Sequence, residues 1–421
     1  MFKIQNFFTQ YKTPILYTGG SFIKSIAQLL VGFVVARYIS PNDLGIWNTV
    51  TLVLAYSTLL QGGLINGLNL ELPSALGKNE ILRADRMAGT AFTLTVATSL
   101  ATFAIGILVF FLTNHPDEKI KYGTLAVTFL IALSYYQNYL TATFRSKSSF
   151  LRLSLLQIIE AIINLSTLVL VVYYLYFGMI FKIVLVTSVT VAMLHFYRPI
   201  KVGFIWDKKE LINMLKVGFP IFVLAFSESF SSTIDKLWLV KYSDMTDVGL
   251  YSFAMYSMSL FSLFSLSVAT YIYPRMTFNY GQNNDKSILR KYVKKITLIL
   301  FAAQTPLAIL GYFIIPIAIA TFFPKYLSSS FCMQILLIAG LFKGCVVGVN
   351  VLWSIKAWKY MVMYQTTYSL LLIFFTFLGV KYTQNKIEGA ALGIMAANFL
   401  NLISGLSFSY LATKENFVNT K

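Results

Sequence analysis

Charge is scarce in this sequence. Only 12% of its 421 residues are charged and 57% are hydrophobic, where a soluble chain has about 25% and 45–50%. A water-soluble core cannot absorb that excess, so an ordinary soluble enzyme is excluded, and disorder with it. Cysteine is scarcer still. Cys332 and Cys345 are the only two, which excludes a disulfide scaffold. Both fall in one apolar stretch, where a helix would set them ~20 Å apart, too far to bridge. There are two histidines, His115 and His195, and no Cys/His cluster with metal-ligand spacing. No G-x-x-x-x-G-K-S/T loop is present, which excludes ATP hydrolysis by a P-loop.

What the chain has instead is long apolar runs. Twelve of about twenty residues cover Ile15–Tyr38, Leu44–Leu70, Met87–Leu112, Tyr122–Phe144, Leu151–Phe177, Gly178–Tyr197, Val217–Val240, Val248–Tyr273, Ile296–Phe322, Ser330–Ile355, Met361–Tyr382 and Gly389–Ala412. No stretch alternates long enough for a barrel, so helices are the spanning structure. The expected fold class is therefore an all-α polytopic membrane protein with about twelve transmembrane helices. The first run exceeds a signal segment and is followed by Arg37 where a cleavage site would be needed, so it is expected to persist.

A net charge of +18 on so apolar a chain needs a location. Nucleic acid is one partner for a basic protein; the positive-inside rule is the other explanation. Loops on the side of the N-terminus hold 23 of the 34 basic residues, from Lys3 and Lys12 through Lys78, Arg83, Arg86, Arg145, Lys147 and Arg152 to Arg198, Lys201, Lys208, Lys209 and Lys216. Arg275, Lys286, Arg290, Lys291, Lys294, Lys295, Lys356, Lys359, Lys414 and Lys421 complete that side. The opposite side holds eight, Arg37, Lys119, Lys121, Lys182, Lys241, Lys325, Lys381 and Lys386. The surplus is thus a topology signal. Both termini are expected in the cytoplasm, and no nucleic-acid partner is expected.

The chain also contains itself twice. Arg37 to Trp47 aligns with Lys241 to Tyr251 at an offset of 204, where Lys12 also meets Lys216 and Gly77 meets Gly281. Farther on, Gly178 meets Gly389, at an offset near 210. Six spans in each half imply parallel repeats related by an axis along the membrane normal, a transporter architecture with the substrate path between the halves. The expected organisation is residues 1–198, a basic linker 199–216, and residues 217–421. Asp43 and Asp247 are placed as helix N-caps, and Gly45 and Gly249 as residues that let hairpins close.

Six ionisable residues fall within spans: Lys24, Glu160, Glu228, Asp235, Lys236 and Lys343. Each costs ~2.5–3.5 kcal/mol at the bilayer centre, so they must pair or face a hydrated cavity. Ser21, Lys24, Ser25 and Gln28 share one helix face, as do Glu228, Ser231, Ser232 and Asp235. Lys24 and Glu228 are equivalent under the 204 offset, so one reading makes them a structural pair. The other makes Ser21, Lys24, Ser25, Gln28, Lys236 and Lys343 the wall of an anion-binding cavity. Glu228, Asp235 and Glu160 are then coupling or charge-pair groups, with Glu160 the candidate for titration. Tyr135, Tyr136, Trp353 and Trp358 are candidates for stacking on sugars. No catalytic or metal residues are expected.

Gly19-Gly20-Ser21, Ala36-Arg37-Tyr38-Ile39, Asp43-Leu44-Gly45-Ile46-Trp47, Phe144-Arg145-Ser146-Lys147, Phe323-Pro324-Lys325-Tyr326 and Ile387-Glu388-Gly389-Ala390-Ala391 carry a resemblance over the whole chain. With its two six-span halves, the sequence resembles the polysaccharide-transport branch of the multidrug/oligosaccharidyl-lipid/polysaccharide (MOP) exporter superfamily, and within it the Wzx-type flippases of O-antigen and capsule units. The resemblance implies alternating access by a multi-pass protein of the bacterial inner membrane. It implies movement of an undecaprenyl-pyrophosphate-linked oligosaccharide between leaflets, with coupling to H+ or Na+, no other cofactor, and other polysaccharide-assembly proteins as partners. It also places the pyrophosphate at Lys24, Lys236 and Lys343. Two alternatives are a cation-coupled multidrug exporter, which predicts an acidic pocket, and a membrane glycosyltransferase, polymerase or acyltransferase, which needs an aqueous acid or His site.

Overall fold

The computed structural model describes residues 2–113, 115–283 and 286–414, with side chains from Gly19 onward and at only some positions within 263–285. Lys3, Lys12, Arg275, Gly281 and Lys421 lie outside the described side chains. Among the described residues there is no strand. The helices are α1 (Phe2–Tyr38), α2 (Pro41–Ser57), α3 (Leu64–Gly77), α4 (Ile81–Leu112), α5 (Glu118–Ser146), α6 (Phe150–Ser166), α7 (Leu168–Phe196) and α8 (Lys208–Ser231). They continue with α9 (Ile234–Tyr242), α10 (Met245–Asn283), α11 (Lys286–Phe322), α12 (Ser330–Gly344), α13 (Val351–Ser354), α14 (Trp358–Tyr382) and α15 (Lys386–Lys414). Each expected span coincides with a helix or a broken helix. Among the described residues eight are long and apolar enough to cross a membrane, and the α2–α3 pair, bent by 54°, makes a ninth if it is counted as one span.

The breaks have local causes. Gly62 and Gly63 have φ of 53° and 90° between α2 and α3, a backbone region that glycine enters without steric cost. In the second half, α8 runs unbroken through Pro220 and stops at Ser231. The break after Ser231 falls eleven residues beyond that proline. The expected division at Phe177–Gly178 is nearly right: α7 leaves helical geometry at Leu175, φ 48°. There the chain doubles back, so that a Cβ on Gly178 would lie 1.9 Å from the Leu170 carbonyl oxygen. Lys182 therefore does not belong to a loop. It lies inside α7, 1% exposed, and the outer-loop assignment is corrected.

By packing, the chain forms two units, residues 1–39 with 46–229 and residues 40–45 with 230–421. That partition groups α8 with the first unit, while the sequence repeat groups it with the second half. In the first unit α1 packs on α6 and α4 on α5, around a core of Leu64, Leu68, Leu72, Met87, Tyr139, Phe144 and Met214. In the second, α10 packs on α12, α12 on α15 and α15 on α14, around Leu289, Val293, Leu337, Leu341, Tyr360 and Met361.

The repeated loop motif proves to be a helix crossing. Ser40 Oγ accepts from the Asp43 amide at 3.1 Å, and Asp244 Oδ1 from the Asp247 amide at 2.8 Å. The caps are therefore Ser40 and Asp244, with Asp43 and Asp247 three residues inside, as in a capping box. Ser40→Ala or Asp244→Ala is expected to cost ~1 kcal/mol, read as a small fall in melting temperature. The glycines do not close hairpins. A Cβ on Gly45 would lie 1.6 Å from the Met245 carbonyl oxygen, and one on Gly249 1.8 Å from that of Pro41. The two copies of the motif cross backbone to backbone.

Candidate functional site

The first unit builds a polar file along α6. Gln157, Glu160 and Asn164 recur at helical spacing, so one face of α6 presents all three. Each has a partner on a neighbouring helix. Ser21 Oγ donates to Gln157 Oε1 at 3.0 Å, and Lys24 Nζ donates to Glu160 Oε2 at 2.7 Å. Lys182 Nζ donates to the Asn164 amide oxygen. The first two pairs share one numerical offset, 136, so α1 and α6 run parallel in register. Close approach is possible because Gly20 faces Ser154, whose Oγ lies 2.2 Å from where a Cβ would stand.

The lysine side chain is 31% exposed and its glutamate partner 16%. An ion pair at this position cannot turn its open side to lipid, so that side meets water. Gln28, one turn farther along α1, is exposed as well. Ser25 Oγ bonds back to the Ser21 carbonyl at 2.9 Å, a helix-internal contact rather than a free cavity donor. Lys24 is thus paired with Glu160 and not with Glu228. The latter sits exposed on α8 and makes no ion pair among the described residues.

The second unit holds the other charges apart. Asp235, on α9, is 2% exposed, accepts from Tyr251 Oη, and has one oxygen without a protein partner. Lys236 is half-buried next to it, and Lys343 is exposed at the end of α12. There the helix gives way to a 3-10 stretch at Cys345–Asn350, so the cation also complements a helix C-terminus. The structure therefore gathers Ser21, Lys24 and Glu160 into one cluster, and Asp235 and Lys236 into another.

Several side chains escaped the sequence reading. Lys182 is one; the signal was an apolar sequence uninterrupted on both sides of it. Gln304, Asn398 and Asn401 are others, all buried within spans. Tyr368 bonds Asn398 at 3.0 Å and Asn401 bonds Tyr364 at 2.9 Å, and the signal was Asn-x-x-Asn inside an apolar run. Of the aromatic candidates, Tyr135 is fully buried, with its hydroxyl on the Ser57 carbonyl at 2.6 Å, and Tyr136 bonds His195. Tyr135 therefore cannot stack on a sugar. Trp353 and Trp358 are exposed, with ring centres 6.5 Å apart.

Outside the spans' middle, Arg83 binds Glu80 at 3.1 Å, Glu210 at 3.2 Å and Glu71 at 3.4 Å. One guanidinium fork thereby ties α3, α4 and α8 within the first unit.

The sequence profile of the polysaccharide biosynthesis protein family matches residues 34–331. The chain belongs to that family. No curated protein sequence matches it. Among solved structures, it is similar to an inward-facing MATE multidrug-resistance transporter of the MOP superfamily, with a TM-score of 0.72, 14% identity, and coverage of 93% of this chain and 94% of that one. The lipid II flippase MurJ in an inward closed conformation gives a TM-score of 0.70 at 18% identity, covering 95% and 88%. A MOP superfamily transporter from Pyrococcus furiosus, described by the reverse polarity of its binding pocket, gives 0.61 at 15% identity, covering 96% and 97%. The fold is that of the MOP transporters. The chain is thus a multi-pass membrane protein of a polysaccharide biosynthesis family with the fold of the MOP transporters.

Proposed function

We propose that the chain moves undecaprenyl-pyrophosphate-linked oligosaccharide repeat units, of O-antigen or capsule type, from the cytoplasmic to the outer leaflet of a bacterial inner membrane by alternating access. The observation that carries this reading is the half-open Lys24–Glu160 pair within a span. A lysine that is already countered by a carboxylate, yet wetted, can exchange that carboxylate for a phosphate oxygen. The exchange keeps the cation paired at every step, where an unpaired cation within the membrane is costly. Ser21 and Gln157 beside it offer a hydroxyl and an amide for sugar hydroxyls. A drug exporter of lipophilic cations has no use for an exposed lysine at this depth.

The test is translocation in sealed proteoliposomes loaded with lipid-linked oligosaccharide on one leaflet. Protein-dependent appearance of glycan on the other leaflet supports the proposal. Its absence across a panel of glycans, with raised resistance of expressing cells to lipophilic cations, reverses it.

A further inference from the structure

In the second unit α9 packs on α14, and the two helices leave a groove of about 650 Å³ between them. Its walls include Trp238 of α9 and Thr367, Leu370, Leu371, Phe374 and Phe377 of α14. The spacing of the five α14 residues puts them on one helix face. Helix α9 has only nine residues and leaves much of that face uncovered, with Leu370 and Phe374 more than half exposed. Helix α14 is apolar enough to cross a membrane, so these side chains face lipid and the groove opens to the hydrocarbon.

One end of the groove is charged. Trp238, Tyr242 and Phe377 form a cluster of rings with centres 5.0, 6.2 and 6.5 Å apart. Lys241 Nζ lies 5.3 Å from the centre of the Tyr242 ring, and Lys381 Nζ lies 5.2 Å from that of Phe377 and 5.4 Å from that of Tyr382. Ring faces attract ammonium groups, which keeps both cations at this end. Neither lysine makes an ion pair among the described residues. The sequence puts few basic residues on this side of the chain, where topology gives no reason to keep one. An anion with an apolar body matches the two lysines and the groove together.

Length selects among such anions. Fourteen residues separate Thr367 from Lys381, a rise of ~21 Å. One leaflet with its headgroups is half of a bilayer of ~40–45 Å. An acyl chain that starts at the lysines therefore ends where the groove ends. A polyprenyl chain, longer than a leaflet is thick, would overrun it.

We propose that the α9–α14 groove is a specific site for an anionic phospholipid, with the phosphate at Lys241 and Lys381 and an acyl chain along Trp238, Leu371 and Phe374. The site takes a lipid of the bilayer, not the transported one, and so stands apart from the proposed function. Its occupant holds the short helix α9 to the span beside it.

Trp238 makes the site observable, because bromine atoms on an acyl chain quench a tryptophan that they touch. The full-length protein is reconstituted in phosphatidylcholine with rising fractions of dibrominated phosphatidylglycerol or, separately, of dibrominated phosphatidylcholine. The chain has five tryptophans, so the Trp238 signal is read as the difference between wild type and Trp238→Phe. A lysine beside an anionic headgroup is worth about fivefold in binding, so phosphatidylglycerol is expected to be preferred about twenty-five-fold at Trp238. Lys241→Gln and Lys381→Gln are each expected to lower that preference about fivefold, and the double variant to abolish it. Both lysines are exposed, so these variants keep the fold. Equal quenching by the two lipids, or an unchanged preference in the double variant, overturns the proposal. Undecaprenyl pyrophosphate without bromine, added at the same fraction as the brominated lipid, is expected to leave the quenching in place. Relief of the quenching assigns the groove to the polyprenyl chain and overturns the phospholipid site. Failure of transport in proteoliposomes bears on the proposed function alone.

Discussion

Replacing Lys24 with alanine is expected to abolish translocation while the protein remains inserted and folded. The substitution removes the wetted cation of the first unit and touches no apolar contact that a span requires. Loss of a hydrogen bond to a charged group costs ~1.5–3 kcal/mol in affinity, which is a factor of about ten to one hundred and fifty in binding. The proteoliposome assay reads that loss directly, and the amount of protein in the membrane fraction is its control. Lys24→Arg keeps the charge and is expected to retain partial activity. Glu160→Gln removes the competitor for the lysine, so farnesyl pyrophosphate is expected to bind more tightly while translocation slows, because release now lacks a carboxylate to retake the cation. Normal transport by Lys24→Ala reduces the Lys24–Glu160 pair to a packing contact. A protein that no longer inserts shows the pair to be structural.

The second large effect belongs to the glycine crossing. Gly45→Val and Gly249→Val each place a Cβ within 2 Å of a carbonyl oxygen on the facing helix. Backbone cannot swing aside as a side chain does, so α2 and α10 must separate along that contact. Overpacking of side chains alone costs ~1–3 kcal/mol, and a backbone clash is expected to exceed it. The check is the yield of monodisperse protein after solubilisation and the melting temperature of what remains. The capping residues five positions earlier, Ser40 and Asp244, are expected to matter far less when replaced, which separates the crossing from the cap. Equal effects at the cap and the glycine would place the cost in helix initiation.

The fold class was legible because runs of ~20 apolar residues have few alternatives in a membrane, and each run lies on a helix. Interruptions within spans were not legible. Gly62 and Gly63 sit in a run whose average hydropathy hides them, and the break after Ser231 follows no proline. Lys182 was misplaced by counting it as a loop charge four residues after an assumed turn, when the turn at Leu175 leaves it well inside α7. Pairing was harder still. The sequence repeat suggested Glu228 for Lys24 by equivalence, but equivalence under an internal symmetry does not imply contact. What decides contact is which helices pack, and α1 lies on α6. The spacing of Gln157, Glu160 and Asn164 was present in the sequence as an i, i+3, i+7 pattern, and the partner helix was not. The same holds for Gly45 and Gly249, whose repetition was visible and whose mutual contact was not.

The shared offset of 136 between α1 and α6 acts as a vernier. Slide α1 by one turn toward the end of α6, and Ser21 faces Ala161 while Lys24 faces Asn164, an amide in place of a carboxylate. Slide it the other way, and the two meet Leu153 and Leu156. Either slip breaks both polar bonds at once and strands a cation against apolar or neutral neighbours. The two helices therefore have a single low-energy alignment, and any motion that carries cargo through the bilayer must move them as one strut.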